Sequence, residues 1–228
     1  VTMNILTNGC SFSCMDLPHG KKGWATFSDF LPGVVSHIGY PGSGIEFVRT
    51  DKFLRRNKNV KLTHYIYQIP SPSRQPIDWD ENEHFNNKCK CKICCKGFKS
   101  SGSINQFLKR HDLAPTDELI SLFEKKTALY NIVLNILSRK INMLRERCPE
   151  IKLIFFRYED TRWPVMYEFT KNFYKKTLVD FCKKNNITYI YNNNFHTNWF
   201  YKNNFTADNR HPNKAGAKLI AEIIQPYL

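Results

Sequence analysis

The stretch MNILTNGCSFSC, residues 3–14, is the part of the chain that most strongly indicates its fold. Met3 to Thr7 form a largely apolar run that we interpret as the first strand. Gly9 follows this run, and Ser11 stands at the first bend between a cysteine and a phenylalanine. A hydroxyl placed directly after a strand is a candidate nucleophile, provided that the fold brings a base to it.

The rest of the chain alternates short apolar runs with amphipathic helical segments. With 228 residues, 42% of them hydrophobic, the chain is long enough to form one globular domain, residues 1–228. Further strands are predicted at residues 34–38, 62–69, 151–156 and 187–191. Several of these are continuous apolar runs, which are typical of parallel strands covered on both faces. The sequence therefore predicts an α/β fold, a three-layer α/β/α sandwich with a five-stranded parallel sheet.

The segments between the predicted strands have helical periodicity, with one exception. Helices are predicted at residues 23–32, 45–56, 116–148, 165–186 and 213–224. Residues 76–115, after the third strand, are polar, lack a clear period and contain four of the eight cysteines. We interpret residues 76–115 as an insertion within the single domain.

Functional sites in open parallel sheets form beyond the carboxyl ends of the strands. Ser11 follows the first strand, the glycine-rich GYPGSG follows the second, and PSPSR follows the third. The segment DNRHPNKAG, residues 208–216, precedes the last helix and contains Asp208 and His211. A serine nucleophile needs a histidine base, which a carboxylate holds in one tautomer. Ser11, His211 and Asp208 are the candidates for these three roles, and Asn213 is a candidate cap for the helix.

These blocks, in this order, resemble the SGNH, or GDSL-like, hydrolase superfamily. The resemblance implies that Ser11 is the nucleophile and that His211 and Asp208 complete a catalytic triad. Cys10 stands where the family usually has an aspartate. The implied activity is that of a serine esterase that requires no cofactor.

The blocks that form the family's oxyanion hole match less well. The resemblance implies that a glycine N–H after the second strand is one donor, and Gly42 is the expected residue, with Gly44 as the neighbouring alternative. The family's third block supplies an asparagine, and this chain has no Gly-x-Asn-Asp there. Gln68 is the closest chemical substitute. The other polar candidates near this position are Ser71, Ser73 and Arg74.

The resemblance also suggests a substrate, an O-acetyl group on a carbohydrate. The formal net charge of +14 would suit an acidic glycan. Two alternatives stay open: an acyltransferase that uses the same serine, and a non-catalytic module that binds glycan or nucleic acid. The sequence does not favour nucleic acid, because the basic residues form no single stripe and no known nucleic-acid module appears.

The cysteine pattern bears on metal binding, and the absence of long apolar segments bears on cellular location. Cys89, Cys91, Cys94 and Cys95 could hold a structural zinc, although their spacing is poor for one metal; the alternative is a solvated insertion. The other four cysteines, Cys10, Cys14, Cys148 and Cys182, are scattered, and we interpret those in apolar settings as buried thiols. No export signal and no membrane-length apolar run appear, so the sequence predicts a cytoplasmic protein without a membrane partner. No feature indicates an oligomeric state.

Other residues compete for the roles of base and nucleophile, and some could form a sugar-binding surface. The competing nucleophiles are Ser13, Ser28 and Cys10. Aromatic residues at two places could stack on a sugar or pack against the sheet; they are Trp163, Trp199, Phe200 and Tyr201. The other histidines are His19, His37, His64, His84, His111 and His196.

Overall fold

A computed structural model describes residues 2–9, 26–39, 48–70, 126–158, 173–192, 194–206 and 211–228. The strands in these residues are β1 (Asn4–Asn8), β2 (Val34–His37), β3 (His64–Ile69), β4 (Lys152–Arg157) and β5 (Thr188–Ile190). The α-helices are α1 (Val48–Arg56), α2 (Lys126–Arg147), α3 (Leu178–Lys184), α4 (Thr197–Lys202) and α5 (Lys214–Ile224). Short 3₁₀ turns lie at Phe27–Phe30 and Gln225–Tyr227, and a π-helical turn, Phe173–Thr177, leads into α3.

The five strands form one parallel sheet in the order β2-β1-β3-β4-β5. The predicted five-stranded parallel sheet is confirmed. β1 lies between β2 and β3, and its Leu6 is in register with Ser36 on one side and Tyr65 on the other. The carboxyl ends of these three adjacent strands therefore lie side by side, at the edge where a site was expected.

Residues that alternate along the strands bury two separate apolar layers, one on each face of the sheet. On one face, Leu6, Tyr65 and Phe155 pack in a cluster with residues of α1, α2 and α3. On the other face, Ile5 and Ile66 pack in a cluster with residues of α4 and α5. Helices thus cover both faces, and the predicted three-layer α/β/α sandwich is confirmed.

Several helix predictions differ from the structure in detail. The described part of the predicted helix 23–32 is one 3₁₀ turn, Phe27–Phe30, in which Asp29 accepts a hydrogen bond from the N–H of Thr26. The described part of the predicted helix 165–186 begins with a π-helical turn. Helix α4 was not predicted, because its six residues are too few to show a helical period. The predicted insertion, residues 76–115, lies outside the described residues.

Helix α5 approaches the segment after α4 so closely that only glycine fits at residue 216. A Cβ atom added to Gly216 would lie 2.4 Å from the carbonyl oxygen of Phe205 and 3.2 Å from the ring of Phe200. The first of these contacts is with backbone, which cannot move aside as a side chain can. Gly216 therefore sets the distance between α5 and the chain that precedes it.

We expect Gly216→Ala to destabilise the protein, although glycine-to-alanine changes within helices usually stabilise by up to about 1 kcal/mol. The steric conflict should cost about 1–3 kcal/mol in the free energy of unfolding, measured by urea denaturation. Lys214→Ala, at an exposed position in the same turn, is the matched control and should change stability by less than about 0.5 kcal/mol. A Gly216→Ala protein as stable as the wild type would show that this contact does not constrain α5.

Candidate active site

Contacts beyond its C-terminal end establish the direction in which α5 crosses the sheet. After its C-terminal end, the carbonyl oxygen of Leu228 accepts hydrogen bonds from His64 Nε2 (3.1 Å) and Lys152 Nζ (2.9 Å). His64 and Lys152 are the first residues of β3 and β4, so this end of the helix lies at the amino edge of the sheet. The start of α5 lies about 16 Å away, at the carboxyl edge.

His211 lies in the turn that leads into α5, and is therefore at the carboxyl edge. Thr206 and Pro212 form an antiparallel bridge that joins the two sides of this turn. The side chain of Asn213 accepts a hydrogen bond from the N–H of Gly216 (2.9 Å) and donates to a carbonyl oxygen across the turn (2.8 Å). The prediction that Asn213 caps the last helix is confirmed. His211 is half-buried on this fixed support.

β1 ends at the same edge, in a buried polar network. Asn8 Nδ2 donates hydrogen bonds to the hydroxyl oxygens of Tyr65 (2.9 Å) and Thr50 (3.3 Å). Asn8 Oδ1 accepts a hydrogen bond from the N–H of Gly9 (2.8 Å). The chain therefore leaves the sheet from a fixed point two residues before Ser11. Sequence reasoning did not find this network, because Asn8 resembles an ordinary polar residue at the end of a strand.

Gln68 lies near the end of β3, one residue before its last residue, and is 1% exposed. Strand alternation puts Gln68 on the same face as Ile66, which packs in one cluster with Ile220 of α5. The amide of Gln68 is therefore buried on the face that α5 covers, close to the carboxyl edge. The position of Gln68 next to the last residue of β3 is suitable for an oxyanion donor.

The remaining predicted site residues fall in parts of the chain that the structure does not describe. Their positions in the sequence still follow the ends of described strands or precede α5. They are Ser11, Gly42, Gly44, Asp208, Cys89, Cys91, Cys94 and Cys95.

His37, at the end of β2, is a second histidine at the carboxyl edge. Its Nδ1 lies 2.7 Å from the hydroxyl oxygen of Thr7, and its buried Nε2 has no hydrogen-bond partner among the described residues. Burial lowers the pKa of His37 from 6.5 to about 4. A base is most effective when its pKa lies near the working pH, so His37 is a weak proton acceptor near neutrality.

His196, after β5, is a third histidine on this side of the sheet, and it serves as the N-cap of α4. Its Nδ1 accepts a hydrogen bond from the N–H of Trp199 (3.0 Å), so in the neutral ring the proton is on Nε2. Burial, followed by the positive charges of Arg157 and Lys202, lowers the pKa of His196. The Nδ1 lone pair already accepts this hydrogen bond, and Nε2 carries the proton. His196 is therefore a poor candidate for the base.

His64 and Ser28 are placed away from the carboxyl edge. His64 begins β3 at the amino edge and is hydrogen bonded to Thr63 and Leu228, as expected for a histidine with a structural role. Ser28 is buried and hydrogen bonded to Thr26 in the 3₁₀ turn before β2. Among the described histidines, His211 is therefore the best candidate for the base. His19, His84 and His111 lie outside the described residues.

Phe200 and Trp199, after β5, pack in the apolar cluster on the sheet face that α5 covers, as one of the two sequence interpretations predicted. Phe200 is fully buried and makes an edge contact with Tyr158, and Trp199 stacks on Phe205 with ring centroids 5.7 Å apart. Tyr201, at 54% exposure, is the member of the predicted sugar-stacking set that is open to solvent. Trp163 lies outside the described residues.

Arg157 is a buried cation at the end of β4. Its guanidinium carbon lies 4.2 Å from the ring centroid of Tyr191 and 5.3 Å from that of Tyr174. Cation–π contacts of this kind partly compensate a charge that has been removed from water. Arg157 is only 3% exposed and adds positive potential to the carboxyl edge.

The described residues also bear on metal binding, on the state of two cysteines and on membrane spans. Within those ranges, no group of three or more His, Cys, Asp or Glu side chains is arranged to hold a metal ion. Cys148 and Cys182 are free, buried thiols, as predicted, and burial raises the pKa of Cys182 to about 12. No helix in the described part of the chain is both long enough and apolar enough to cross a bilayer.

The lowered pKa of His37 predicts a pH dependence of stability. As the pH falls below about 6.5, the unfolded chain binds a proton at His37 before the folded protein does, so stability is present above that pH and is lost toward pH 4. Between about pH 7 and about pH 5 the loss should approach about 2 kcal/mol. His37→Gln should remove this part of the pH dependence, measured by urea denaturation at both values. An unchanged difference between the two pH values would contradict the assignment of a His37 that stays neutral in the folded protein.

Comparison with known proteins supports the fold through structure and not through sequence. No protein-family model and no curated protein sequence matches the chain. An extracellular lipase from Streptomyces rimosus is 10% identical, with 100% of each chain covered and a TM-score of 0.57. Phospholipase A1 from Streptomyces albidoflavus is 8% identical, with 100% of each chain covered and a TM-score of 0.56.

A third solved structure, a psychrotrophic esterase from Pseudoalteromonas, is 12% identical, covers 97% of this chain and 93% of its own, and has a TM-score of 0.50. Each of these three alignments covers at least 97% of this chain. They agree with the resemblance that the motifs at the two chain ends suggested. The chain has the fold of the SGNH, or GDSL-like, lipases and esterases.

Proposed function

We propose that this protein is a serine esterase that cleaves a carboxylic ester through an acyl-enzyme. Ser11 is the nucleophile, His211 is the general base and then the general acid, and Asp208 orients the imidazole. The three neighbours of this fold are named as a lipase, a phospholipase and an esterase, and all three names refer to the cleavage of carboxylic esters. The proposal carries this shared reaction over to the present chain.

The observation that carries the proposal is the direction of α5. Its C-terminal end is bonded to the first residues of β3 and β4, so His211 lies at the edge where β1 ends. Ser11 follows the end of β1 by three residues. We therefore propose that Ser11 and His211, which lie near opposite ends of the sequence, meet at this edge of the sheet.

In the proposed reaction the Ser11 oxygen attacks the ester carbonyl while His211 accepts the hydroxyl proton. The tetrahedral intermediate collapses when His211 gives that proton to the departing alcohol, and a water molecule then releases the acid by the same two steps. The Gly9 N–H is already bonded to Asn8. The oxyanion donors are therefore proposed to be the N–H groups of Ser11 and Gly42 and the amide of Gln68.

For the substrate, we propose an O-acetyl group on a carbohydrate, as the family resemblance suggests. An acidic glycan would be attracted by positive potential at the carboxyl edge, and Arg157 is a described cation there. Among the described helices, the cations in the last turns of α1, α2 and α3 are expected at the opposite edge, because each helix leads to the start of a strand. Release of acetate from an O-acetylated acidic polysaccharide, compared with a neutral one, tests this choice.

Labelling with a fluorophosphonate probe tests the nucleophile and the base together. The wild type should be labelled at one serine, located by mass spectrometry, and Ser11→Ala should abolish the label. His211→Asn should slow labelling by about 10³-fold or more, because the serine loses its base. His196→Asn is the matched control, since asparagine is also a good N-cap and α4 should remain folded. Its labelling rate should stay within about threefold of the wild type.

Two results would overturn this proposal. Labelling that persists in Ser11→Ala would move the nucleophile elsewhere, with Ser13 and Cys10 as the next candidates. A wild-type protein that is folded, binds a glycan and is never labelled would favour the non-catalytic binding module.

The role of Gln68 is tested by removing its amide. Gln68→Met keeps the length of the side chain and deletes the donor, so kcat for an activated acetate ester should fall about 10²-fold or more while KM changes little. Ile66→Val, on the same face of β3, is the control for disturbed packing and should leave kcat within about twofold. Equal kcat values for Gln68→Met and the wild type would exclude Gln68 from the oxyanion hole.

A further inference from the structure

Asn8 is a buried amide whose hydrogen bonds join three elements at the end of β1. It is 4% exposed, and its partners Thr50 of α1 and Tyr65 of β3 are both fully buried. Asn8 Nδ2 reaches the hydroxyl oxygens of Tyr65 (2.9 Å) and Thr50 (3.3 Å), and those two oxygens lie 3.2 Å apart. Thr50 and Tyr65 are 42 and 57 positions away from Asn8 in the sequence.

The partners of Asn8 fix the orientation of its amide. The backbone N–H of Gly9 can only donate, so the side-chain atom that faces it at 2.8 Å must be the acceptor Oδ1. The NH₂ group must then face Tyr65 and Thr50. Burial raises the pKa of the Tyr65 hydroxyl, so this hydroxyl stays protonated and neutral and can accept from Asn8 while it donates to a neighbour.

This arrangement occupies the first backbone N–H after the strand. Because Gly9 donates to Asn8, the peptide plane between residues 8 and 9 is held in one orientation, and the chain departs from the sheet in one direction. Gly9 has a φ of 159°, at the boundary of the region that favours glycine. The Asn8 side chain constrains the chain at this residue through the hydrogen bond that it accepts from the Gly9 N–H.

We infer that Asn8 is a positioning residue for the nucleophile: its amide fixes the peptide between residues 8 and 9, from which the chain continues to Ser11. This inference rests on the proposed function, because it requires Ser11 to be the nucleophile. Asn8 acts through the backbone and need not contact the substrate. A displacement of about 1 Å in a reacting group can reduce the rate about 10²-fold, which sets the size of the expected effect.

The test compares two substitutions of similar volume in the full chain. Asn8→Leu removes the acceptor for Gly9 and leaves Thr50 and Tyr65 able to bond to each other. Asn8→Asp keeps an oxygen that can accept from Gly9, and both hydroxyls can donate to it. The rate of fluorophosphonate labelling at Ser11 should fall about 10²-fold in Asn8→Leu and no more than about tenfold in Asn8→Asp. Deuterium exchange of the peptide that contains Gly9 should become faster in Asn8→Leu alone.

Tyr65→Phe provides a second route if Asn8→Leu does not fold. It removes one of the two hydroxyls that accept hydrogen bonds from the Asn8 amide and keeps the hydrogen bond from the Gly9 N–H to Asn8. Labelling should therefore slow by about threefold to tenfold. Equal labelling rates at Ser11 for the wild type, Asn8→Leu and Tyr65→Phe would overturn the positioning role while leaving the esterase intact. A wild-type protein that carries no label at Ser11 would overturn the proposed function and this inference with it.

Discussion

The attachment of the last helix to the amino edge of the sheet is the constraint on which the candidate site depends. The Leu228 carbonyl accepts hydrogen bonds from two strand-starting residues, His64 and Lys152. The Gln225 side chain donates to the carbonyl of Phe30, just before β2. These contacts fix one end of α5, and the length of the helix then places its other end at the carboxyl edge. A base carried by the turn before α5 must lie at that edge.

The position of α5 along the sheet is set by close packing and not only by its ends. The backbone of Gly216 meets the carbonyl of Phe205, and Asn213 ties the first turn of the helix to the chain on the other side of the loop. Ile220 and Ile224 then anchor the helix in the core beneath it. A site needs its groups held to a fraction of an ångström, and a helix fixed at both ends and along one face provides such support for His211.

The sheet, its parallel character and the last helix could be predicted from the sequence because their signals are local. Continuous apolar runs indicate buried strands, and Asn213 before an amphipathic segment indicates a capped helix. The network of Asn8, Thr50 and Tyr65 could not be predicted, since it depends on strand order and on contacts between distant positions. The environments of His37 and His196 could not be predicted for the same reason. A histidine's burial and its bonded nitrogen decide whether it can accept a proton, and both arise only in the folded chain.

The net charge of the chain and the charge at its site have different structural origins. Cations in the last turns of α1, α2 and α3, such as Arg56, Arg147 and Lys184, stabilise the helix dipoles by about 0.3–1 kcal/mol each. Those turns lead to strand starts at the amino edge, where salt screens their effect on the opposite edge. Arg157 is buried at the carboxyl edge, and its charge already contributes to the lowered pKa of His196. Because Lys202 contributes to the same shift, the local field depends on where individual cations lie and not only on the total of +14.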